Sequence, residues 1–226
     1  MKTLTFWFDP VSPYAYLAFE RLPQALEGLS YAVSYRPVLF AGLLQHWGQL
    51  GPAEIAPKRD WTYRQVAWLA HRLGIQLKMP AQHPFNPLAL LRLLLAHGAA
   101  TQQEAAANRW ACETVLRRVW CSGEAAGTAE QVQALAEVLS PGQGASLLAA
   151  AQGDAVKARL RANTEEAAAQ GIFGVPTVVV EGRPFWGLDG LEPLSAWLRG
   201  DPWFDGPDWD AAARVPSGVA PRRATR

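Results

Sequence analysis

The N-terminal stretch alternates apolar and polar side chains, which is the two-residue period of a β-strand. A helical pattern follows and ends near Gly28, and a second alternating stretch closes at Pro37. The apolar residues that carry these three patterns are Leu4, Phe6 and Phe8, then Tyr16, Leu17, Phe19, Leu22 and Leu26, then Tyr31, Val33 and Tyr35. Strand, helix, strand in this order predicts a βαβ unit with parallel strands and a right-handed connection.

The middle of the chain, residues 61–170, shows the helical period almost throughout. Its apolar stripes predict a helix that ends at Gly74, a second that starts at Pro87, a third around Cys112, a fourth after it, and one or two more in the alanine-rich stretch 145–169. Four or five helices without an intervening strand are typical of a bundle inserted into another domain.

Strand character returns after residue 171. The β-branched run 177–180 and the segment 184–186 predict two short strands, the second an edge strand because it contains a proline. A last helix is predicted to start at Asp189.

These patterns predict an α/β protein with two domains. Residues 1–60 and 171–205 form one discontinuous domain, and residues 61–170 form an all-helical insertion. Residues 206–226 are rich in Pro, Gly, Ala and Arg and are expected to be poorly ordered, at least from Ser217.

Composition narrows the function classes. The 226 residues are 50% hydrophobic with a net charge of +1, and no basic stripe favours a nucleic-acid partner. No apolar run approaches the roughly 20 residues of a membrane helix, and the N-terminus lacks the pattern of a signal peptide, so a cytoplasmic location is expected. Cys112 and Cys121 form no Cys-x-x-Cys pair, and the four histidines lack metal-ligand spacing, so no metal site is predicted.

The turn between the first predicted strand and helix is the first candidate for chemistry. Ser12-Pro13 has a hydroxyl at the N-cap position and a proline at the first helical position. Such a turn directs free N–H groups and the positive end of the helix dipole towards one point, which favours an anion. Ser12 as no more than a helix cap is the alternative.

The same turn has the form of a Cys-Pro-Tyr-Cys redox motif without its sulfurs, because Ser12 and Ala15 stand at the two cysteine positions. Thiol–disulfide exchange needs two thiols, so a disulfide oxidant or isomerase is excluded. A hydroxyl at a helix N-terminus still suits a thiolate that a ligand brings.

The element order βαβ…ββα resembles the thioredoxin plan, in which a cis-proline faces the active turn. Gly174-Val175-Pro176-Thr177 stands at the corresponding position, before a predicted strand. In thioredoxin-like proteins the residue before this proline offers its backbone to a peptide-like ligand. An ordinary turn is the alternative for this segment.

Over residues 5–203 the chain resembles the 2-hydroxychromene-2-carboxylate isomerases, DsbA-like proteins that are related to kappa-class glutathione transferases. The motifs that carry the resemblance are Phe8-Asp9-x-x-Ser12-Pro13-Tyr14-x-Tyr16-Leu17, Gly48-Gln49-x-Gly51-Pro52 followed by Pro57-Lys58-Arg59, Gly171-Ile172-Phe173-Gly174-Val175-Pro176-Thr177, and Phe185-Trp186-Gly187-x-Asp189-x-Leu191-Glu192. It implies a thioredoxin-like, DsbA-like fold with a large all-helical insertion, and a glutathione-dependent site. In that site Ser12 would donate a hydrogen bond to the glutathione sulfur, and the backbone of Val175, before cis-Pro176, would pair with the cysteinyl part.

The resemblance also implies contacts for the ends of the tripeptide. Lys58 would neutralise one of its carboxylates, Asp189 would accept the γ-glutamyl ammonium, and the Leu188 amide would meet the carboxylate of that residue. Gln49 falls where kappa-class relatives carry an asparagine that contacts the ligand. A solvated surface charge is the alternative for Lys58, and a helix N-cap is the alternative for Asp189.

Trp47, Phe85 and Asn86 are weaker candidates, for the side where an aromatic substrate enters. Asn86-Pro87 is first of all a helix-start signal.

The reaction implied by the resemblance interconverts 2-hydroxychromene-2-carboxylate and trans-o-hydroxybenzylidenepyruvate, a step of aromatic hydrocarbon breakdown, by reversible thiolate addition. A kappa-class-like glutathione transferase and a non-catalytic thioredoxin-like module that binds thiols or peptides are the alternatives. Relatives are commonly dimers, and no stripe in this sequence identifies an interface.

Overall fold

The computed structural model of the chain describes residues 1–103 and 105–218. Two short 3₁₀ segments lie at Pro52–Glu54 and Pro202–Asp205. The strands and α-helices are β1 (Lys2–Phe8), α1 (Pro13–Ala25), β2 (Tyr31–Pro37), α2 (Phe40–Trp47), α3 (Ala56–Leu73), α4 (Leu88–Ala100), α5 (Arg109–Cys121), α6 (Ala129–Leu139), α7 (Gly144–Gln152), α8 (Asp154–Ala169), β3 (Thr177–Val180), β4 (Arg183–Trp186), α9 (Leu191–Leu198) and α10 (Asp208–Ala212).

The four strands form one mixed sheet in the order β2-β1-β3-β4. β1 pairs in parallel with β2 and antiparallel with β3, so that Phe6 lies opposite Tyr35 on one side and opposite Val178 on the other. β4 pairs antiparallel with β3 and forms the edge, where a strand tolerates Pro184 because fewer N–H groups are needed there. The predicted strands and the parallel pairing of the first two are confirmed.

The side chains of β1 point alternately into two apolar clusters, as the pleat of a strand requires. Leu4, Phe6 and Phe8 join the main core, which α1 and the insertion helices share. Trp7 points to the other face and packs in a second cluster that includes Val175. The two clusters therefore hold the β1–α1 turn and the segment before β3 on the same strand.

Helices α3–α8 lie between β2 and β3 in sequence, where the helical insertion is predicted. The boundary predicted after residue 60 falls inside α3, which begins at Ala56. The division into two domains stays an interpretation of the element order, because side chains of α4 and α5 belong to the same core as β1. Cys112 of α5 is fully buried, as expected of a packing residue, and burial raises the pKa of its thiol.

The region after residue 205 differs from the poorly ordered tail predicted for residues 206–226. α10 forms at Asp208–Ala212, and its Trp209 ring lies 6.0 Å from Phe185 of the core and 5.2 Å from Phe204, between ring centroids. Aromatic burial against the sheet edge offsets the entropy cost that the Pro- and Gly-rich composition imposes. Residues 219–226 of the predicted tail lie outside the described residues. Across the part of the chain that the structure describes, every helix is too short or too polar to cross a membrane.

Candidate active site

Ser12 sits at the junction of β1 and α1 and makes two hydrogen bonds through its side chain. Its backbone is extended (φ −88°, ψ 117°), and its Oγ accepts the N–H of Ala15 at 3.2 Å, so it is the N-cap of α1. The same hydroxyl donates to the carbonyl oxygen of Val175 at 3.2 Å, across 163 residues of sequence. The structure thus brings together the two sequence-predicted segments, and the cap role coexists with a long-range contact.

The segment on the far side of this contact is shaped by the Val175–Pro176 peptide bond, which is cis. Thr177 Oγ1 donates to the carbonyl of Gly174 at 2.8 Å, and the N–H of Gly187 donates to the carbonyl of Pro176 at 2.9 Å. These bonds anchor the segment at both ends, so the Val175 carbonyl stays directed at the Ser12 turn.

The insertion supplies two donors to the backbone of the Ser12 turn. Trp120 Nε1 of α5 donates to the carbonyl of Pro10 at 2.9 Å, and His83 Nε2 lies 2.7 Å from the carbonyl of Val11. Because backbone carbonyls in a buried turn need donors, these side chains satisfy groups that the turn itself leaves free. The helical insertion therefore positions Ser12 even though Ser12 lies outside it.

The side chain of Asp9 holds the Ser12 turn in place. Its fully buried carboxyl group accepts the N–H of Val11 and the N–H of Phe40, each at 2.9 Å, which joins the β1–α1 turn to the start of α2. Burial raises the pKa of Asp9 to about 7, against the two backbone hydrogen bonds, which lower it.

A cavity of about 1470 Å³ opens beside the Ser12–Val175 contact. Besides these two residues, it is lined by several of the sequence-predicted candidates, namely Gln49, Lys58, Phe85, Leu188 and Asp189. Pro176 is buried behind Val175. One concave surface therefore combines the N-terminus of α1, the exposed Lys58 of α3 and the Asp189 carboxylate in the turn before α9.

Asp189 is exposed and is not the N-cap of the last helix, because α9 starts at Leu191 with Gly190 as its cap residue. The Asp189 carboxylate folds over Gly187, where φ is +87° and a Cβ atom would collide with Asp189 Oδ1. The backbone conformation favours glycine at this position, and a Cβ atom there would displace the exposed Asp189 carboxylate.

The structure does not bring Trp47 or Asn86 to the cavity wall. The indole N–H of Trp47 donates to the carbonyl of Ile172 at 2.9 Å, so this ring braces α2 against the segment before β3. Asn86 Oδ1 accepts the N–H of Leu88 at 3.0 Å, which is the helix-start role that Asn86-Pro87 also indicates. Both side chains therefore serve local structure.

Sequence patterns did not single out three pairs of side chains that line the cavity. The rings of Phe173 and Trp186 lie 4.9 Å apart between centroids, and both are exposed, which forms an aromatic wall beside Val175. The Tyr14 hydroxyl donates to the side chain of Gln65 at 2.7 Å. In the third pair, the Tyr63 hydroxyl oxygen lies 2.7 Å from His83 Nδ1.

The aromatic wall had a sequence signal, since Phe173 and Trp186 stand within two of the family motifs. Tyr14 also stands within a family motif, but its pairing with Gln65, like that of Tyr63 with His83, forms between side chains that only the fold brings together. Among residues 1–103 and 105–218, no group of three or more His, Cys, Asp and Glu side chains is arranged to hold a metal ion.

Comparison with known proteins places the chain in one family. Residues 3–199 match the family model of the DsbA-like thioredoxin domain. The chain is 30% identical over 211 residues to the 2-hydroxychromene-2-carboxylate isomerase of Sphingobium xenophagum, which spans 87% of this chain and 98% of that protein. It is 26% identical over 217 residues to glutathione S-transferase kappa 1 of Rattus norvegicus, which spans 90% of this chain and 93% of that protein.

A solved structure of a 2-hydroxychromene-2-carboxylate isomerase superposes with a TM-score of 0.76 at 25% identity, over 90% of this chain and 98% of that one. The fold agrees with these similarities. The chain belongs to the DsbA-like thioredoxin family, in which it is related to the 2-hydroxychromene-2-carboxylate isomerases and the kappa-class glutathione transferases.

Proposed function

We propose that the protein is a glutathione-dependent isomerase that interconverts 2-hydroxychromene-2-carboxylate and trans-o-hydroxybenzylidenepyruvate. The observation that carries the proposal is the contact of the Ser12 hydroxyl with the Val175 carbonyl at the wall of a large cavity. The isomerase from Sphingobium xenophagum, at 30% identity, supports the choice of reaction.

The polar groups around this contact fit glutathione. A peptide-like ligand carries amide N–H groups, and the Val175 carbonyl can accept one of them in place of the Ser12 hydroxyl. The Ser12 hydroxyl is then free to turn and donate to a sulfur at the N-terminus of α1, where the helix dipole favours negative charge. When bound, glutathione would supply the thiol nucleophile that adds reversibly to the double bond of the substrate.

The charged side chains of the cavity fit the ends of the same tripeptide. Lys58 of α3 would face a carboxylate, and Asp189 would face the ammonium group of the γ-glutamyl residue. The Leu188 amide and the Gln49 side chain would add polar contacts in the same cavity. An aromatic substrate would lie against the wall of Phe173 and Trp186, with Phe85 on the opposite loop.

Ser12→Ala tests the role of the hydroxyl. We expect turnover of the chromene carboxylate with glutathione to fall about 100-fold, because one donor to a developing anion is lost. The free energy of unfolding should fall by about 2 kcal/mol, because the helix cap and the hydrogen bond to the Val175 carbonyl are both lost. Turnover within about threefold of the unaltered protein would contradict the assignment of Ser12.

Thr128→Ala is the matched control for the lost cap. Thr128 caps α6 by accepting the N–H of Gln131 at 3.2 Å, the distance of the corresponding bond at Ser12, and it lies outside the cavity lining. This variant should lose about 1 kcal/mol, the share of the cap alone, and keep full turnover.

A kappa-class-like glutathione transferase is the second candidate, favoured by the 26% identity to the rat enzyme over most of both chains. It would use the same groups around the sulfur and release the adduct. Incubation with glutathione and an electrophilic aryl halide would give a stable conjugate in that case, whereas the isomerase converts the chromene carboxylate.

A non-catalytic module that binds thiols or peptides would turn over neither compound, and in it Ser12→Ala would change stability alone. The cytoplasmic location and the homodimer stay predictions.

A further inference from the structure

Tyr63 and His83 form a hydrogen-bonded pair on the cavity wall that the proposed function leaves unused. The Tyr63 hydroxyl lies 2.7 Å from His83 Nδ1 and 2.9 Å from the His83 carbonyl oxygen. On its other side, His83 Nε2 lies 2.7 Å from the carbonyl oxygen of Val11, the residue before Ser12. Tyr63 belongs to α3 and His83 to the loop between α3 and α4, so the pair links two parts of the insertion to the Ser12 turn.

The contact with Val11 fixes the position of the proton on the imidazole. A carbonyl oxygen only accepts hydrogen bonds, so Nε2 carries the proton and donates it to Val11. In the neutral ring Nδ1 then carries no proton, and its lone pair can accept a hydrogen bond from the Tyr63 hydroxyl. Burial lowers the pKa of His83 below its usual 6.5, so at neutral pH the ring is an uncharged base.

Three aromatic rings hold the imidazole in this orientation. The ring centroids of Tyr63, Trp120 and Phe85 lie 5.3, 5.5 and 6.1 Å from that of His83. These ring contacts and the hydrogen bond to Val11 restrain the imidazole with Nδ1 within hydrogen-bond distance of the Tyr63 hydroxyl. The single Tyr63 O–H proton is shared between His83 Nδ1 and the His83 carbonyl oxygen. Burial raises the pKa of Tyr63, which keeps its proton in place until a partner accepts it.

The proposed reaction requires a proton transfer that Ser12 does not provide. One of the two isomers is a cyclic hemiketal and the other is an open-chain phenol. Opening the ring breaks the bond between the hemiketal carbon and the ring oxygen and turns the 2-hydroxyl group into a ketone. One proton moves from that hydroxyl to the phenolic oxygen, with no change in oxidation state and no net proton released.

We propose that Tyr63 and His83 are a proton relay for the hydroxyl group of the substrate, an inference that rests on the proposed function. Tyr63 is the catalytic residue that contacts this hydroxyl. Its oxygen accepts the hydroxyl proton while its own proton moves to His83 Nδ1, and the ring C–O bond breaks as the ketone forms.

The proton then returns along the same path to the phenolate oxygen, so that Tyr63 and His83 are restored. In the interval the Val11 carbonyl, bound to the Nε2–H group, stabilises the charged imidazole. This is the part that a carboxylate plays in hydroxyl–imidazole–carboxylate triads. The Ser12 turn thus contributes to the thiolate addition through the Ser12 hydroxyl and to the proton transfer through the Val11 carbonyl.

A binding experiment without glutathione separates this role from a purely structural one. The probes are trans-2-hydroxycinnamate and trans-2-methoxycinnamate, which differ only by a methyl group on the oxygen, and affinity is measured by calorimetry. The phenol hydroxyl of the hydroxy compound corresponds to the phenolic oxygen of the open-chain isomer, which exchanges its proton with Tyr63. The unaltered protein should bind this compound about tenfold more tightly, because only this compound can donate to Tyr63. Tyr63→Phe should abolish the preference.

Tyr14→Phe is the matched control, because it also removes a phenol hydroxyl from the cavity wall but one that is bound to Gln65 and not to a base. It should retain the preference. Equal affinities in the unaltered protein, failure to bind either probe, a preference that survives in Tyr63→Phe, or its loss in Tyr14→Phe would each overturn the proposal.

Steady-state kinetics test the proton transfer itself. Tyr63→Phe should lower kcat for the chromene carboxylate about 100-fold and change KM less than about threefold, because general acid–base catalysis acts on the reacting state. An unchanged kcat would overturn the relay. If the unaltered protein shows the hydroxyl preference without isomerising the chromene carboxylate, the Tyr63 site is supported and only the proposed reaction fails.

Discussion

Asp9 gives the sharpest prediction for stability, because its carboxyl group is fully buried beneath the Ser12 turn and burial raises its pKa from 3.8 to about 7. The folded protein therefore binds the Asp9 proton more tightly than the unfolded chain does. Its contribution to the free energy of unfolding is full below the unfolded-state pKa and is lost as the pH rises through about 7. A difference of about 3 pKa units corresponds to about 4 kcal/mol, of which about 2–3 kcal/mol is lost between about pH 5 and about pH 8.

Asp9→Asn isolates this contribution, because asparagine does not titrate. The variant loses stability at every pH, since its amide group can accept only one of the two N–H groups that Val11 and Phe40 donate. The measurement is urea unfolding of both proteins at about pH 5 and about pH 8. We expect the gap in the free energy of unfolding between the unaltered protein and Asp9→Asn to shrink by about 2–3 kcal/mol at the higher pH.

The comparison with the variant is needed because two histidines contribute the opposite slope. Burial lowers the pKa of His83 and of His97, so their contribution is present above the unfolded-state pKa and is lost as the pH falls. These contributions are the same in both proteins and cancel in the difference. A difference that stays constant from about pH 5 to about pH 8, or that widens with pH, would refute the argument, because the carboxylate would then be ionised in the folded state.

Three further substitutions test contacts that stabilise the Ser12 turn or the fold around it. Trp120→Phe removes the donor to the Pro10 carbonyl, and urea unfolding should show a loss of about 1–2 kcal/mol; an unchanged midpoint would contradict the bracing of the turn. Gly98→Ala directs a Cβ atom into the carbonyl oxygen of Ala106 in the next loop, and we expect no cooperative thermal transition by circular dichroism, whereas a native-like melt would show that the loop yields. Trp209→Ala removes a half-buried ring that packs on the sheet edge, and thermal unfolding should show a loss of about 1–2 kcal/mol; no loss would mean that α10 adds nothing to stability.

The strands and most helices follow from the sequence because a regular apolar period or a turn signal marks them. Leu4, Phe6 and Phe8 keep the two-residue period of β1, and the stripe that contains Cys112 repeats over the length of α5. The sequence did not predict α2, which is eight residues long, or α10, which is five. α10 is shorter than the window over which a period of 3.6 residues can be distinguished from chance, and no Ser, Thr, Asp or Asn cap marks the start of α2, whereas Asp189 precedes the equally short α9.

The candidate site divides along a similar line. Ser12 and Val175 could be predicted because local chemistry marks them: a hydroxyl before a proline at a helix start, and the residue before a proline that precedes a strand. Aromatic character alone could not predict the position of Trp47, because an indole ring can line a cavity or brace a helix. In the structure its N–H group donates to the Ile172 carbonyl. No local sequence motif indicated Tyr63, because its hydrogen-bond partner His83 lies 20 residues away in the chain.

The helical insertion completes the site instead of merely enlarging the protein. The carbonyls of Pro10 and Val11 receive their donors from the insertion side chains Trp120 and His83, so the turn that carries Ser12 has its final conformation only when the insertion is packed. Helix α3 also brings Lys58 and the Tyr63 hydroxyl to the cavity. Changes to the insertion core should therefore alter activity before they unfold the sheet, which makes the ratio of lost turnover to lost stability the quantity to measure in such variants.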